Sequence, residues 1–315
     1  METSDAGRAR WLGRAAQLLL VLVVAAGGLW TATHGVAGVA WADVAPVLRA
    51  VTPGHLGLLA AIWLGGLGIY STVLAAALPG LGVRRGLLLN LSGSAVANVV
   101  PLGGAAATAL NWRMVRRWGH TNLAFMSYCV LTNALDVLTK LLLPLVAVGA
   151  FVLLSVHVPA PLWVVAGGCA GALVLAGAAL ARVRERAGRI RALLRRGWAR
   201  LLPASAGYIA AQVALLLVSL RSVGLHVPLT VVLMAAAVER LGTLVPITPA
   251  GTGIAEIGTV AWLVTTGLDP APVVAGVLLY RVFLVVMEIP LGGVLLAGWA
   301  WLQRASRVQP DGVTA

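Results

Sequence analysis

The sequence contains few charged residues for a chain of its length. Only 10% of its 315 residues are Asp, Glu, Lys or Arg, whereas soluble proteins carry about 25% charged residues. Apolar residues make up 60% of the chain, and the mean hydropathy is +0.95. Because long apolar runs also recur along its length, the composition excludes a soluble globular domain and indicates a polytopic membrane protein.

Lysine and cysteine are also scarce. Lys140 is the only lysine, although the formal net charge is +13. The arginines that supply this charge sit at the ends of apolar segments, and no basic region has interleaved aromatic residues, so we expect no nucleic-acid partner. Cys129 and Cys169 fall in different apolar segments. They therefore form neither a disulfide framework nor a metal-ligand spacing.

Motifs for soluble chemistry are missing as well. The sequence contains no Walker loop, no dinucleotide fingerprint, no HExxH and no GxSxG. Asp43 is a lone acid in the segment WADVAP, where we expect it to cap an interfacial helix. These absences predict a protein that is not an enzyme and that uses no cofactor and no metal.

Apolar segments long enough to cross a bilayer recur along the chain. A spanning helix needs about 20 residues at 1.5 Å each. The first segment is followed by no convincing small-residue cleavage site, so we interpret it as an uncleaved span rather than a signal peptide. The apolar segments cover residues 11–33, 56–78, 86–110, 120–156, 162–181, 203–221, 229–266 and 271–301.

The arginines predict the orientation of these segments, because short loops rich in Lys and Arg stay in the cytoplasm. The loop 182–202 holds eight arginines and is the strongest anchor. A full crossing by 86–110 would place Arg113 on the opposite side of the membrane from Arg85. We therefore predict that this segment enters from the cytoplasm, breaks near its middle and turns back.

The predicted fold is an all-α, polytopic integral membrane bundle with about six full spans and two re-entrant hairpins of broken helices, or seven or eight spans if half-helices are counted. The second hairpin, 229–266, is entered from outside. We predict a multi-pass protein of a bacterial plasma membrane with both termini in the cytoplasm. The chain is expected to form a single membrane domain, 1–315. Its parts are repeat 1 at about 55–156, the Arg-rich cytoplasmic loop at 182–202, repeat 2 at about 203–302 and a cytoplasmic tail at 303–315.

The two halves of the chain repeat at a shift of 148 residues. The span 56–78 then falls on 203–221, and these two spans are predicted to cross in opposite directions. Other matches occur in the same order: Pro101 with Pro249, Gly103 with Gly251, Gly119 with Gly267, and Lys140 with Glu288. Broken helices at equivalent places in inverted repeats indicate the central site of a transporter.

The stretch LVPITPAGTGIAEIG, residues 244–258, interrupts the second hairpin. Proline lacks the amide that would continue a helix, and glycine permits reversal and close backbone approach. A broken backbone at membrane depth is tolerated where it is buried in protein or lines a wet cavity, and the amides that begin the next half-helix attract anions. The alternative is that Pro and Gly only shape a tight packing hairpin. The candidate substrate-binding residues at the two breaks are Pro246, Thr248, Pro249, Gly251, Thr252 and Gly253, with Pro101, Gly103 and Gly104 in the first hairpin and Arg113 after it.

Seven ionisable residues lie within apolar segments, where each costs about 2.5–3.5 kcal/mol on insertion scales. Asp136 and Lys140 are four apart and are predicted to pair on one helix face. The neighbours Glu239 and Arg240 point about 100° apart on a helix and need different partners. The set either locks the bundle together or forms a polar path for a charged headgroup. If the set forms a path, Arg281 is the candidate for binding a phosphate, and Glu256 is the candidate for binding an amine or for a proton-coupled step. Glu256 is predicted to pair with Arg240 or Arg281. The other candidate residues of the path are Glu239, Arg240, Tyr280 and Glu288.

The run AAAVERLGTLVPITPAGTGIAEIG, the tripeptide LYR at 279–281 and the earlier run NVVPLGGAAATALNWRMVRRWGH carry a resemblance to a known family. The chain resembles the lysylphosphatidylglycerol synthase transmembrane family of flippase-like domains from about Leu12 to Trp301. The most specific part is Pro-x-Thr-Pro-x-Gly-x-Gly followed by Glu256. Relatives with an attached synthase carry a cytoplasmic aminoacyltransferase domain, and the resemblance implies the membrane half without it. Relatives often place Glu and Arg after the first Pro-Gly turn; here the acid is missing and Arg113 remains.

The resemblance implies a translocase for a phospholipid or a polyprenyl-phosphate-linked lipid that works without ATP. The headgroup would pass between the two hairpins. Membrane lipids are the expected partners, with a separate lipid synthase or glycosyltransferase as a candidate protein partner. Two other functions stay open. One is a membrane glycosyltransferase or other lipid-modifying enzyme that uses Asp43, and the other is a proton-coupled transporter of small solutes.

Overall fold

The computed structural model describes residues 38–100, 103–154, 157–186, 188–244 and 253–305. These residues form helices and the turns between them, with no strand among them. The helices are α1 (Trp41–Arg49), α2 (Pro53–Ala77), α3 (Val83–Val99), α4 (Gly103–Arg117), α5 (Asn122–Leu153), α6 (Ala160–Arg186), α7 (Gly188–Ser222), α8 (Leu229–Gly242), α9 (Ile254–Thr265), α10 (Pro270–Arg281) and α11 (Glu288–Ala305). A π-helical segment, Val282–Val286, joins α10 to α11.

Five stretches of the described residues are long and apolar enough to cross a membrane. They are Pro53–Ala77, Asn122–Leu153, Ala160–Ala178, Arg200–Ser222 and Pro270–Arg304. Each lies on one of the predicted full spans, and the remaining predicted span, 11–33, lies outside the described residues. The prediction of a polytopic, all-α membrane bundle is confirmed.

The segments 86–110 and 229–266 both fold back on themselves. In the first, the Ser92 hydroxyl of α3 lies 3.7 Å from the Met114 sulfur of α4. In the second, the indole N–H of Trp262 in α9 donates to the carbonyl of Val231 in α8 at 3.0 Å. The helices of these hairpins have 17, 15, 14 and 12 residues, so each is shorter than the roughly 20 residues that a full crossing needs.

The first hairpin begins and ends on the same side of the bundle. The Arg85 guanidinium lies over the Trp118 ring, 5.2 Å from its centroid, so the basic residues before α3 and after α4 are neighbours. This is the arrangement predicted from the arginines. The membrane side on which that end lies stays a prediction.

The helix pattern recurs at the predicted shift of 148 residues. Gly119 ends one hairpin with φ 88° and Gly267 ends the other with φ 84°, a conformation that glycine adopts without steric cost. The next helix starts with Thr121 in one half and Asp269 in the other, and each side chain accepts a backbone amide as an N-cap. The same local signals therefore end the hairpin and start the following span in both halves.

The equivalent spans of the two halves run antiparallel. The rings of Tyr70 in α2 and Tyr208 in α7 lie 4.5 Å apart, whereas Gly66, nearer the start of α2, approaches Ala211, farther along α7. Antiparallel packing of equivalent helices makes the repeat an inverted one. Each hairpin also packs on the long helical segment of the other half, α3 on α11 and α8 on α5.

Candidate functional site

The second hairpin brings two carboxylates to one guanidinium. Arg281, the last residue of α10, donates from Nε to Glu256 Oε1 at 2.6 Å. Its Nη1 donates to Glu239 Oε1 at 2.9 Å. The Arg281 and Glu239 side chains are 9% and 4% exposed. The cluster therefore joins α8, α9 and α10 through charge-assisted hydrogen bonds inside the protein.

Glu256 also caps α9, in whose first turn it lies. Its second carboxylate oxygen, Oε2, accepts the backbone amide of Gly253 at 2.7 Å. Gly253 has φ 94°, a left-handed conformation that places its amide toward the first turn of α9. A negative charge here also complements the positive end of the helix dipole. The anion expected at this helix start is therefore found within the chain, as the Glu256 side chain.

A second cluster joins α5 to α8. Asp136 Oδ2 lies 2.6 Å from Lys140 Nζ, and Asp136 Oδ1 accepts a hydrogen bond from Arg240 Nη2 at 3.3 Å. The predicted pair of Asp136 and Lys140 is confirmed. The adjacent residues Glu239 and Arg240 bind different partners, as predicted from their helical geometry.

Glu288 is the remaining intramembrane acid. The two clusters contain three basic and three acidic side chains, so their formal charges cancel. Glu288 is 8% exposed and lies near the Ser94 side chain of α3. No cation pairs with it among the residues that the structure describes.

The π-helical segment Val282–Val286 lies between Arg281 and Glu288, and the two side chains point to different parts of the bundle. Met287 donates its amide to the Val282 carbonyl five residues back, at 2.9 Å, so the turn is wider than an α-helical one. Arg281 faces α8 and α9, while Glu288 lies against α3 and lines a cavity beside α2 and α7. Single π-helical turns inside α-helices occur frequently at functional sites.

Glu288 lines a small cavity with Trp63 of α2 and Gln212 of α7. Trp63 and Gln212 are each 7% exposed. Gln212 donates from Nε2 to the Tyr208 hydroxyl at 2.7 Å. The indole nitrogen of Trp63 and the amide oxygen of Gln212 have no hydrogen-bond partner among the described residues. The cavity thus combines an unused donor, an unused acceptor and a carboxylate.

A second cavity lies on the other side of the Tyr208 ring. It is lined by Tyr70, Asp136, Ser205 and Arg240, and Tyr208 lines both cavities. The Arg240 Nε and the Ser205 hydroxyl are buried without a partner in the described part of the chain. The two cavities and the tyrosine between them form a polar strip along the contact between the inverted halves.

The structure separates the predicted site residues into groups. Glu239, Arg240, Glu256, Arg281 and Glu288 lie at the clusters and cavities just described. Tyr280 is 1% exposed and belongs to the apolar core. Gly103 and Gly104 begin α4, and Arg113 lies near the end of that helix, at a separate cavity with Arg117 and Arg304. Pro101, Pro246, Thr248, Pro249, Gly251 and Thr252 lie outside the described residues.

The predicted site residues did not include Trp63, Ser205, Tyr208 and Gln212. The signal was present, because Ser205, Tyr208 and Gln212 are polar residues within an otherwise apolar span and repeat at intervals of three and four. Such spacing places them on one helix face. Asp43, by contrast, was assigned correctly as a cap, since its carboxylate accepts the Ala40 amide at 3.1 Å at the start of α1.

Comparison with known protein families identifies the family of this chain. The family model described as the lysylphosphatidylglycerol synthase TM region matches residues 17–292. This range includes both hairpins, both ion-pair clusters and both cavities. No curated protein matches the chain.

Proposed function

Because the chain belongs to the lysylphosphatidylglycerol synthase TM region family, which ties it to membrane lipids, we propose that it is a lipid translocase of a bacterial plasma membrane. Its substrate is a phospholipid or a polyprenyl-phosphate-linked lipid. The headgroup crosses between the two inverted halves while the hydrocarbon tails stay in the bilayer. No ATP-binding motif is present in the sequence, so the movement follows a gradient of lipid or of ions.

The observation that carries this proposal is a set of buried polar atoms, at the two cavities lined by Tyr208, that have no hydrogen-bond partner among the described residues. Four side chains contribute them: Trp63, Ser205, Gln212 and Arg240. Leaving a buried donor or acceptor unpaired costs about 1–3 kcal/mol. A polar ligand that enters this strip completes these hydrogen bonds, whereas an apolar tail does not. The strip therefore suits the headgroup of a lipid.

Arg240 is the better candidate than Arg281 for contact with a phosphate. Arg281 is held by two carboxylates, at 2.6 and 2.9 Å, and a phosphate would have to displace one of them. Within the described part of the chain, Arg240 has one carboxylate contact, at 3.3 Å, and its Nε, in a residue that lines a cavity, has no partner. Its planar fork can bind two phosphate oxygens at once.

The described conformation is closed to a headgroup. The cavities on either side of Tyr208 have volumes of about 20 and 10 Å³, which is room for about one water molecule each. The rings of Tyr70 and Tyr208 pack against each other between the halves, inclined at 33°. Translocation then requires α2 and α7 to separate at this ring contact, in the rocking of one repeat against the other by which inverted-repeat transporters work.

Reconstitution of the full chain in liposomes tests the proposal. Lipids with a fluorescent headgroup label would be incorporated, and the fraction reached by an impermeant quencher would be followed over time for anionic, aminoacylated and polyprenyl-phosphate lipids. We expect faster exchange than in protein-free liposomes for at least one class. No acceleration with any of them would contradict the proposal, and a current with a water-soluble substrate instead would favour solute transport.

Arg240→Gln is the informative variant, with Arg221→Gln as its matched control. Arg240→Gln leaves Asp136 paired with Lys140 at 2.6 Å, so no acid loses its only cation. Arg221 is exposed in the last turn of α7 and lines neither cavity. We expect exchange to fall about tenfold or more in Arg240→Gln, the effect of losing one charged hydrogen bond, and to stay near wild type in Arg221→Gln.

A further inference from the structure

A cavity of about 320 Å³ lies at the ends of α4 and α11, away from the central clusters. Its lining residues come from positions that are far apart in the chain: Leu110, Arg113 and Arg117 from α4, and Trp299, Ala300, Gln303 and Arg304 from α11. Its volume lies at the lower end of the range for ligand pockets, about 300–1,000 Å³. It is much larger than the cavities beside Tyr208.

This cavity has positive charge without negative charge. Arg113, Arg117 and Arg304 line it, and no acidic residue does so among the described residues. The cations inside the bundle differ, because Lys140, Arg240 and Arg281 each lie within 4 Å of a carboxylate. The cavity is therefore electrostatically suited to an anion.

One guanidinium is already held in position. Arg117 Nη1 donates to Gln303 Oε1 at 2.6 Å, and its Cζ lies 5.9 Å from the centroid of the Trp299 ring. Both contacts join α4 to α11. An arginine that is held by a cation–π contact and one hydrogen bond keeps other N–H groups for a multidentate partner such as phosphate.

Exposed tryptophans flank the cavity, as expected of a site at the depth of lipid headgroups. Trp112 directly precedes Arg113 and is 42% exposed, and Trp301 follows Trp299 by two residues and is 68% exposed. Exposed tryptophans near the ends of spanning helices mark the membrane–water interface. Leu110, Trp299 and Ala300 supply an apolar surface next to the arginines. This combination matches a phosphate joined to glycerol and an acyl chain.

We propose that this cavity binds the phosphodiester of an anionic phospholipid at the predicted cytoplasmic surface, outside the central path. Arg113 and Arg117 contact the phosphate oxygens, Arg304 adds positive charge, and the apolar surface receives the start of an acyl chain. The role of the bound lipid as cargo rests on the proposed translocation, but its binding does not. Lipid binding is therefore measured separately from transport.

The test is native mass spectrometry of the purified full chain in detergent, titrated with phosphatidylglycerol. The double variant Arg113→Gln/Arg117→Gln removes the two α4 arginines from the cavity. Arg116→Gln is the matched control, because Arg116 is on the same helix end but donates to the His120 carbonyl and does not line the cavity. We expect the double variant to lose about tenfold or more in affinity, as for lost charged hydrogen bonds, and the control to change less than about twofold.

Two further measurements separate the alternatives. Competition by inorganic phosphate, compared with phosphatidylglycerol, distinguishes a site for the free anion from one that also needs the lipid; equal affinities would overturn the lipid assignment. Arg117→Lys keeps the charge but loses the fork, and we expect an intermediate affinity in a protein that melts like wild type. Equal losses in the control and the double variant would show general surface attraction and overturn the site. If phosphatidylglycerol binds as described but no lipid exchanges in liposomes, the translocase proposal fails and the binding site stands.

Discussion

At the scale of single residues, most intramembrane charges form ion pairs that join helices of the bundle, whereas Glu288 forms none with the described residues. Arg281, Glu239 and Glu256 tie three helices together, and Glu256 also caps α9. A buried ion pair of this kind is weak evidence for net stabilisation, yet removing one partner is strongly destabilising because it leaves uncompensated charge. The structural hypothesis for these charges, that they lock the bundle together, describes this cluster well.

Arg281→Leu tests this role. The change leaves Glu239 and Glu256 buried without their cation, so we expect the free energy of unfolding to fall by about 3–5 kcal/mol. Unfolding by SDS in mixed micelles measures it. The variant that also carries Glu239→Gln and Glu256→Gln removes the stranded charges and should recover part of the loss. No difference between these two variants would contradict a charge-based explanation.

Glu288→Gln should behave in the opposite way to other changes from acid to amide. Glu288 has no cationic partner among the described residues, so the neutral side chain keeps its shape and removes a buried charge. We expect the free energy of unfolding to stay level or rise. Asp136→Asn is the comparison. It removes the carboxylate that pairs with Lys140 and Arg240, and we expect the free energy of unfolding to fall by about 1.5–3 kcal/mol. A loss of stability in Glu288→Gln as large as that in Asp136→Asn would show that an unseen partner binds Glu288.

At the scale of helices, glycines determine where the hairpins and spans come into close contact. A Cβ on Gly103 would overlap the Ala97 carbonyl across the first hairpin, and one on Gly292 would overlap the Leu91 carbonyl where α11 crosses α3. The next glycine in each case, Gly104 or Gly293, has no neighbour within 4 Å of such an atom. Each tight contact is thus paired with an open position one residue along.

Gly103→Ala and Gly104→Ala form a matched test of the first hairpin. We expect Gly103→Ala to lower the free energy of unfolding by about 1–3 kcal/mol, because the backbone must shift to admit the methyl group. Gly104→Ala should be neutral or raise it by up to about 1 kcal/mol, since alanine favours the helix. Thermal melting in detergent ranks the two variants. A similar loss in both would point to altered chain flexibility rather than to close packing.

These elements also show what a sequence can and cannot predict. Apolar length gave the spans, and the Pro-Gly interruptions together with the arginine pattern gave the hairpins, because these signals are local in the chain. Partners across helices were harder. Glu256 had two arginines as predicted partners, and packing selected Arg281. The contact of Arg117 with Gln303 joins residues 186 positions apart, and no periodicity within either helix indicates it.

At the scale of the whole molecule, the inverted repeat explains why the polar strip lies between α2 and α7. Equivalent spans meet antiparallel at the centre, and each hairpin packs on the other half. Such a contact can open toward one membrane face or the other by similar movements of two similar units. The site therefore depends on both repeats, although most of its charged residues come from the second.

Cysteine accessibility tests this architecture in cells. In a background with Cys129→Ser and Cys169→Ser, single cysteines replace Arg84, Arg116 and Arg304 at one end and Arg49 and Arg221 at the other. The Arg85–Trp118 contact and the cavity shared by Arg113 and Arg304 place the first three at one end of the bundle. We expect a membrane-impermeant maleimide added outside to label positions 49 and 221 and to reach the other three only after permeabilisation. Labelling of positions 84 and 116 from opposite sides would make 86–110 an ordinary crossing, and the inverted arrangement of the two hairpins, on which the polar strip depends, would then be wrong.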